Sequence, residues 1–285
     1  NKIKKPPFAI IGLGKLGGRE IDYGSDPDII FVAEPKTRSV PKLQPLAVEV
    51  MDLLSAKTEL GAPFKVDARL RPDGEKGLVV NTLSAYEEYY RQRAKLWEIQ
   101  TLTRTRPVAG NLKLGETFQS LAGRLTNFQH PSLPLAAYQP DWKPTIAHMR
   151  ARIEKERTPA GQGELAIKTG AGGLIDAEFI AQALCLAQGW QEANTMRALE
   201  RARDTGILPR ADADPLIENY AKLRRVEAIL RRWSFEGETV LPTDPAPYYR
   251  VAIRCGCASA EEFRLQVASY RKAIREVYSK VFSKP

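Results

Sequence analysis

The sequence is poor in cysteine and histidine. Its 285 residues include three Cys and two His. The cysteines, Cys185, Cys255 and Cys257, are too few and too clustered for the disulfide framework of a secreted protein. With only His130 and His148 as further ligands, a zinc site is not indicated either. We therefore expect free thiols and a reducing, cytoplasmic environment.

Long hydrophobic runs are also lacking. No stretch approaches eighteen consecutive apolar residues, so we expect no transmembrane helix and no membrane partner. The first seven residues contain lysines but lack the apolar region and cleavage site of a signal peptide. The chain instead has an ordinary globular composition, with 43% hydrophobic and 27% charged residues. Such proportions exclude a disordered or fibrous protein.

The net charge of +9 is not concentrated in one region. Residues 1–110 carry an excess of +4 and residues 111–285 an excess of +5, in both cases interleaved with acids. A groove that follows a nucleic-acid backbone would gather its Lys and Arg residues on one surface. We therefore expect no nucleic-acid partner, and a small polyanionic ligand fits the charge as well.

Hydrophobic periodicity predicts an α+β protein. Its N-terminal part alternates strand-like and helix-like segments, and the remainder is helical. The predicted strands cover 8–13, 28–33, 64–70 and 77–80, and the predicted helices cover 41–60, 84–97, 112–127, 142–157, 174–188, 192–205, 213–233 and 259–282. We place a mixed domain at 1–125 and an all-helical bundle domain at 126–285.

A glycine motif directly follows the first predicted strand. Gly12, Gly14 and Gly17 match the G-x-G-x-x-G fingerprint of dinucleotide-binding proteins. Only ten residues separate Gly17 from Asp28, and they include Gly24, Ser25, Asp26 and Pro27, so a crossover helix does not fit. The spacing therefore argues against a nicotinamide cofactor, and no P-loop motif occurs in the chain.

The same glycines fit a second pattern that involves carboxylates. Gly17 and Gly18 precede Asp26 and Asp28, whose side chains point the same way in an extended segment. Asp67, on the next predicted strand, supplies a third acid. Carboxylates held so close together repel one another, and divalent cations relieve that repulsion. We predict that these three acids are catalytic and hold two Mg²⁺ ions, which clamp a triphosphate and lower the pKa of an attacking hydroxyl.

Further residues are candidates for binding the phosphates of that triphosphate. The glycine turn would bring backbone N–H groups to the phosphates without interference from side chains. Nearby cationic or hydroxyl side chains would add contacts. The predicted nucleotide-binding residues are Lys15, Gly17, Gly18, Ser25, Arg69 and Arg71.

Five segments, occurring in one order, together resemble the glutamine synthetase adenylyltransferase family. They are Gly14–Glu20, Ser25–Phe31, Val66–Pro72, Trp97–Glu98 with Arg104–Arg106, and Ile167–Phe179. The resemblance covers essentially the whole chain, although Pro27 stands where the family usually has an apolar residue. It implies a DNA polymerase β-like nucleotidyltransferase domain followed by a helical bundle. It also implies Mg²⁺-dependent transfer of AMP from ATP to a tyrosine hydroxyl of glutamine synthetase, with the PII signal protein and glutamine as regulators.

The resemblance leaves alternatives open. The family has two related catalytic domains, one that adds AMP and one that removes it by phosphorolysis, and this chain resembles the adding domain more closely. A non-catalytic nucleotide-sensing module would have lost its acids, whereas Asp26, Asp28 and Asp67 are all present. A uridylyltransferase for PII uses similar residues but usually carries a histidine-rich domain, and this sequence has two histidines.

Two other segments have less defined roles. The resemblance suggests that Gly170–Gly173 forms a loop closing a nucleotide cleft, but it does not define what Lys168, Asp176 and Glu178 do. The predicted helix at 213–233 has an apolar stripe and several arginines and a lysine, which we interpret as a solvated face, the alternative being a docking surface for a partner. Its basic residues are Lys222, Arg224, Arg225, Arg231 and Arg232.

Overall fold

A four-stranded mixed sheet forms the N-terminal part of the protein. The computed structural model describes residues 6–57, 59, 64–234 and 237–283. In chain order its strands are β1 (Phe8–Gly12), β2 (Ile29–Ala33), β3 (Val80–Thr82) and β4 (Arg106–Gly110). They lie in the order β3-β2-β1-β4, so the two most apolar strands occupy the centre of the sheet.

The directions of the strands test whether the glycine motif belongs to a dinucleotide-binding unit. β1 runs antiparallel to β2, with Phe8 opposite Ala33 and Gly12 opposite Ile29. A dinucleotide-binding unit needs two parallel strands joined by a crossover helix. β1 and β2 therefore do not form the parallel unit that a nicotinamide fingerprint requires. β4 is also antiparallel to β1, and β3 is parallel to β2.

Helices make up most of the remaining described chain. Those that alternate with the strands are α1 (Gly14–Gly17), α2 (Val40–Ser55), α3 (Leu83–Gln92), α4 (Leu96–Thr101) and α5 (Leu112–Leu125). Those that follow are α6 (Trp142–Arg157), α7 (Leu174–Gln188), α8 (Thr195–Asp204), α9 (Arg210–Ser234), α10 (Pro245–Cys255) and α11 (Ala260–Ser283). The α+β prediction is confirmed. Among the helices of the described residues, none has the length and hydropathy needed to cross a bilayer.

The strand predicted at 64–70 is wrong. Only Asp67 pairs there, in an isolated bridge. The Arg69 N–H donates to the Asp67 carboxylate at 2.9 Å, and the Arg71 guanidinium donates to the Ala68 carbonyl at 2.6 Å. Such local side-chain hydrogen bonds satisfy backbone groups that a strand would use for its ladder.

Other elements differ from prediction in position. The strand predicted at 77–80 lies at Val80–Thr82, and the helix predicted at 84–97 is divided into α3 and α4. The helix predicted at 41–60 is α2, and its predicted end at Leu60 lies outside the described residues. The six helices predicted after residue 110 are all present. No helix is predicted at α10, because the prolines at its start indicate a break in helical structure. Proline is nevertheless tolerated in the first turn of a helix, which is where these prolines lie.

Apolar side chains explain why these elements pack. α2 covers one face of the sheet, and the two phenylalanines of the core meet edge to face with ring centroids 5.2 Å apart. The buried cluster between them consists of Phe8, Ile29, Phe31, Ala33, Leu43, Ala47 and Val80. In α9, the predicted apolar stripe is largely buried, including Leu216, Tyr220, Leu223, Val226 and Leu230.

The chain forms two compact units whose boundaries are not sequential. The first contains residues 1–21, 25–139 and 185–194, and the second contains residues 22–24, 140–184 and 195–285. The first unit holds the sheet, and the second holds most of the later helices. The division into functional domains at residues 125 and 126 stays a prediction.

Candidate functional site

The glycine turn lies directly against one of the predicted acids. β1 leads through Leu13 into the short helix α1, and the Leu13 N–H donates to the Asp28 carbonyl at 2.9 Å. Gly14 has a φ of 51°, in the left-handed region that favours glycine. A Cβ atom on Gly14 would come within 2.5 Å of Asp28 Oδ2. Because Gly14 has no side chain, the Asp28 carboxylate can lie directly against the turn.

Gly17 and Gly18 are buried by close packing. A Cβ on Gly17 would overlap the carbonyl oxygen of Arg104, and one on Gly18 would come within 2.6 Å of the Ala193 carbonyl oxygen. Their N–H groups donate inside the turn, to Leu13 at 2.9 Å and to Gly14 at 3.1 Å. These glycines thus allow tight backbone approach, and their contact with phosphate stays a prediction.

The backbone brings two of the three predicted acids side by side. Asp28 and Asp67 are partners in a parallel bridge. The Ile29 N–H donates to the Asp67 carbonyl, and the Asp67 N–H donates to the Pro27 carbonyl, both at 2.9 Å. Opposed residues in paired segments project to the same face. Asp26, two residues before Asp28, precedes the bridge and is exposed.

Arg69 forms hydrogen bonds with the Asp67 carboxylate in this conformation. Its Nη2 lies 2.5 Å from Asp67 Oδ2, and its Nε lies 3.0 Å from both carboxylate oxygens. This hydrogen bonding lowers the pKa of the Asp67 carboxyl from its ordinary value. Hydrogen bonding to Asp67 and, to a lesser extent, the negative charges of Glu75 and Asp28 raise the pKa of the Arg69 guanidinium. Arg69 is therefore placed among the acids, on a largely exposed side chain.

Arg71 makes a different kind of contact. Its guanidinium donates to the carbonyls of Ala68 at 2.6 Å, Gly77 at 3.2 Å and Glu75 at 3.3 Å. These bonds fasten the turn between Asp67 and β3, so the side chain has a structural role in the observed conformation. Its predicted phosphate contact stays a prediction.

Lys15 and Ser25 are both partly buried. Lys15 lies inside α1, and its carbonyl accepts from the Glu20 N–H at 2.8 Å. Ser25 directly precedes Asp26, at the point where the chain re-enters the first compact unit. Phosphate binding by either residue stays a prediction.

The donor set at this position suits a hard cation. Carboxylate oxygens are the ligands that Mg²⁺ prefers, and Asp28 and Asp67 lie on paired segments. Among the described residues, no group of three or more Asp, Glu, His or Cys side chains is gathered closely enough to hold a metal ion. Arg69 hydrogen-bonds both Asp67 oxygens in this conformation, so these bonds would have to be released before Asp67 could bind a cation.

Sequence reasoning missed the side chains that hold the glycine turn in place. Arg106 donates through Nε to the Gly17 carbonyl at 3.0 Å and through Nη2 to the Leu16 carbonyl at 2.7 Å. Asn194 donates to the Gly18 carbonyl at 2.8 Å. Arg106 lies far from the turn in sequence and was noted only as part of a resembling segment, so its role could not be predicted. Asn194 carried no sequence signal.

The glycine loop at 170–173 is fastened by buried charges. Asp176 is fully buried, and its carboxylate accepts from the Gly172 N–H at 2.8 Å and from Arg275 Nη1 at 2.9 Å. It also forms an ion pair with the fully buried Arg150, which donates to the Gly170 carbonyl at 2.9 Å. Asp176 is thus a structural clamp for the loop within the second compact unit.

The solvated-face interpretation of α9 is wrong for two of its five basic residues. Glu227 is fully buried and lies 2.5 Å from Arg224 Nη1 and 3.0 Å from Arg231 Nη2. Arg231 is 3% exposed. A buried carboxylate needs such partners, because an unpaired charge away from water is strongly unfavourable.

A separate cavity of about 1280 Å³ lies in the second unit. Its walls come from the 161–171 loop and α11, and they include Leu165, Leu241, Val267 and Arg271. Of the described residues that line it, none belongs to the predicted carboxylate site.

Two protein families match different parts of the chain. Residues 1–121 match the sequence model of glutamate–ammonia ligase adenylyltransferase. Residues 142–282 match that of the GlnD PII-uridylyltransferase. The first match contains the sheet and the carboxylate site, and the second contains helices α6 to α9, α10 and most of α11.

Curated relatives match along most of the chain. Bifunctional glutamine synthetase adenylyltransferase/adenylyl-removing enzymes from Streptomyces avermitilis and Cutibacterium acnes are each 33% identical over 98% of this chain. The enzyme of that name from Mycobacterium tuberculosis is 38% identical over 84% of this chain. The aligned parts cover 28%, 29% and 23% of those proteins, so this chain spans less than a third of the length of each.

Proposed function

The chain belongs to the glutamine synthetase adenylyltransferase family, and from this premise we propose that it transfers AMP from ATP to a tyrosine hydroxyl of glutamine synthetase. The relatives are named for this activity and for AMP removal, and this chain spans less than a third of their length. The activity, the protein substrate and a cytoplasmic location are therefore proposed for this chain.

One observation supports the proposal most directly. The backbone pairs Asp28 with Asp67, and the Asp28 carboxylate lies against the glycine turn at Gly14. A nucleotidyl transfer requires acids beside a place for phosphates, and the paired acids beside a glycine turn support this proposal. The neighbouring Asp26 adds a third carboxylate two residues upstream.

In the proposed site, carboxylates bind the metal ions and other groups bind the phosphates. Asp26, Asp28 and Asp67 would hold Mg²⁺, which neutralises phosphate charge and lowers the pKa of a hydroxyl nucleophile. Lys15, Ser25 and the glycine turn would position the triphosphate. Arg69 would leave the Asp67 carboxylate and contact phosphate instead, because both are anions that suit its guanidinium fork.

Removal of AMP by phosphorolysis is the second candidate. It is favoured by the printed names of the relatives, which include the adenylyl-removing activity. Both reactions act at the same phosphorus atom, so the same acids would serve either one. Regulation by the PII signal protein and by glutamine belongs to the same proposal.

Two other functions receive less support. Uridylyl transfer to PII rests on the match of residues 142–282 alone, whereas the segment with the acids matches the adenylyltransferase family. A non-catalytic nucleotide sensor would not need the paired carboxylates of Asp28 and Asp67.

The decisive experiment runs two reactions in parallel. In one, the protein is incubated with glutamine synthetase, Mg²⁺ and α-labelled ATP, and label on a synthetase tyrosine supports AMP transfer. In the other, it receives adenylylated synthetase and inorganic phosphate, and released ADP supports removal. UTP with PII is the control for uridylyl transfer. Absence of product in both reactions, with a folded protein, would contradict the proposal.

A further inference from the structure

Two arginines meet at the C-terminal end of the glycine turn, and neither is among the predicted site residues. Arg19 follows Gly18, and Arg106 is the first residue of β4. The backbone N–H of Arg19 and the Nη2 of Arg106 both approach the Leu16 carbonyl, at 3.3 and 2.7 Å. Arg106 also donates to the Gly17 carbonyl at 3.0 Å, so its guanidinium is held in a fixed place.

The two arginines carry positive charges that act on each other. Within the described part of the chain, no ion pair joins Arg19 or Arg106 to a carboxylate. Glu20, the adjacent acid, forms an almost fully buried ion pair with Arg104. Burial and the charge of Arg19 lower the pKa of the Arg106 guanidinium. Two like charges beside each other are unfavourable until an anion lies between them.

Arg19 also has an unusual backbone conformation. Its φ of 57° lies in the left-handed region, which residues other than Gly, Asn and Asp rarely adopt. Such strain persists where the surrounding structure enforces it, and it is concentrated at ligand sites. Here the buried Gly17 and Gly18 fix the preceding backbone, and the Arg19 side chain remains exposed.

We infer that Arg19 and Arg106 form a subsite for a phosphate oxyanion. The inference rests on the proposed function and identifies which part of the substrate these residues recognise. The guanidinium fork of Arg19 matches phosphate oxygens, and Arg106, whose Nε and Nη2 donate to the turn carbonyls, would contribute its Nη1 and its charge. The oxyanion has two sources in the proposed chemistry: the β- and γ-phosphates of ATP, which leave as pyrophosphate, or the inorganic phosphate consumed in AMP removal.

The test is direct binding measured by calorimetry on the full chain. The variants are Arg19→Gln and Arg106→Lys, where lysine keeps the charge but lacks the planar fork of donors needed to hold the turn carbonyls and a phosphate together. The ligands are Mg·ATP, Mg·pyrophosphate, AMP and inorganic phosphate. The matched control is Arg38→Gln, which removes an exposed arginine of the same compact unit away from the glycine turn.

We expect both variants to weaken binding of Mg·ATP and Mg·pyrophosphate about tenfold, the scale of one lost charged hydrogen bond, with AMP binding unchanged. Weakened binding of inorganic phosphate alone would support the subsite and assign it to AMP removal. The control should bind every ligand like the wild type. Because Arg19 is exposed, the Arg19→Gln protein should melt within a few degrees of the wild type.

Two results would overturn the inference. One is wild-type affinity of both variants for ATP, pyrophosphate and inorganic phosphate. The other is an equal loss in the Arg38→Gln control, which would show a general charge effect. If the wild-type protein itself binds none of these ligands, the proposed function fails first, and this inference fails with it.

Discussion

Asp28 is constrained on two sides, by the turn at Gly14 and by the bridge to Asp67. An asparagine in its place keeps the shape of the side chain but loses the charge. Stability should therefore be unchanged or slightly raised, because a repulsion among acids is relieved. Activity depends on the charge itself, since an amide is a poor ligand for Mg²⁺.

We expect Asp28→Asn and Asp26→Asn each to lower AMP transfer at least about a hundredfold, equivalent to ~3 kcal/mol of lost electrostatic stabilisation. Labelled transfer to glutamine synthetase measures the activity, and thermal unfolding measures the fold. Asp52→Asn on α2, which removes an exposed acid that is not among the predicted site residues, is the control. Wild-type turnover in either test variant would contradict the assignment of these acids.

The pair formed by Asp67 and Arg69 predicts a pH effect. Hydrogen bonding from Arg69 lowers the folded-state pKa of Asp67. Such a carboxyl contributes stability above its unfolded-state pKa, and it loses this contribution as pH falls through the folded-state value. We expect Arg69→Gln to be slightly less stable than the wild type at pH 7, with the difference shrinking below about pH 4.

Urea unfolding between pH 3 and 7 tests this expectation, together with an NMR titration of Asp67 in both proteins. In the variant, the Asp67 pKa should rise towards its ordinary value. Since Arg69 is exposed, the stability effect should be small. A stability difference that persists undiminished at the lowest pH would contradict the assignment.

At the scale of single elements, the turn after β1 has no room for a side chain at Gly17. Gly17 packs against the backbone of Arg104, which cannot move aside as a flexible side chain would. We expect Gly17→Ala to destabilise the protein by roughly 2–4 kcal/mol through overpacking. Gly163→Ala is the matched control, because open space surrounds that position. Chemical denaturation of both variants measures the difference, and a wild-type midpoint for Gly17→Ala would refute the packing argument.

Sequence reasoning located the elements whose signals are local. β1 and β2 are short apolar runs, and α9 carries a regular apolar stripe, so each could be predicted from its own residues. β4 could not, because its Arg106, Pro107 and Gly110 are atypical of a strand. A proline is tolerated there because β4 lies at the edge of the sheet, a position that depends on the whole fold.

The candidate site shows the same limit. The side-by-side placement of Asp28 and Asp67 followed from two segments predicted to be extended and adjacent, although the second forms a bridge and not a strand. The bonds from Arg106 and Asn194 to the turn join residues about 90 and 176 positions apart. No local pattern encodes such pairings, so they emerge only from the assembled fold.

At the scale of the whole molecule, the first compact unit is discontinuous in sequence, and this predicts how a truncated chain behaves. Residues 185–194 belong to this unit, where the Phe128 N–H donates to the Leu186 carbonyl at 3.0 Å and Trp190 is nearly buried. A fragment ending at residue 139 lacks these residues. We expect its β1 amides to exchange with deuterium at least tenfold faster than those of the full chain, because local opening is easier. Equal protection in the fragment would contradict this expectation.

The same discontinuity affects the order of events during synthesis. Domains usually fold as units while the chain emerges, with the N-terminal one first. Here β1 begins at Phe8, but the last segment of its unit ends at Asn194. At roughly 5–20 residues per second, on the order of 10–40 seconds pass before that segment is made. During this interval the nascent first unit lacks residues 185–194 and the Trp190 side chain that is buried in the folded protein, so the unit cannot complete its packing.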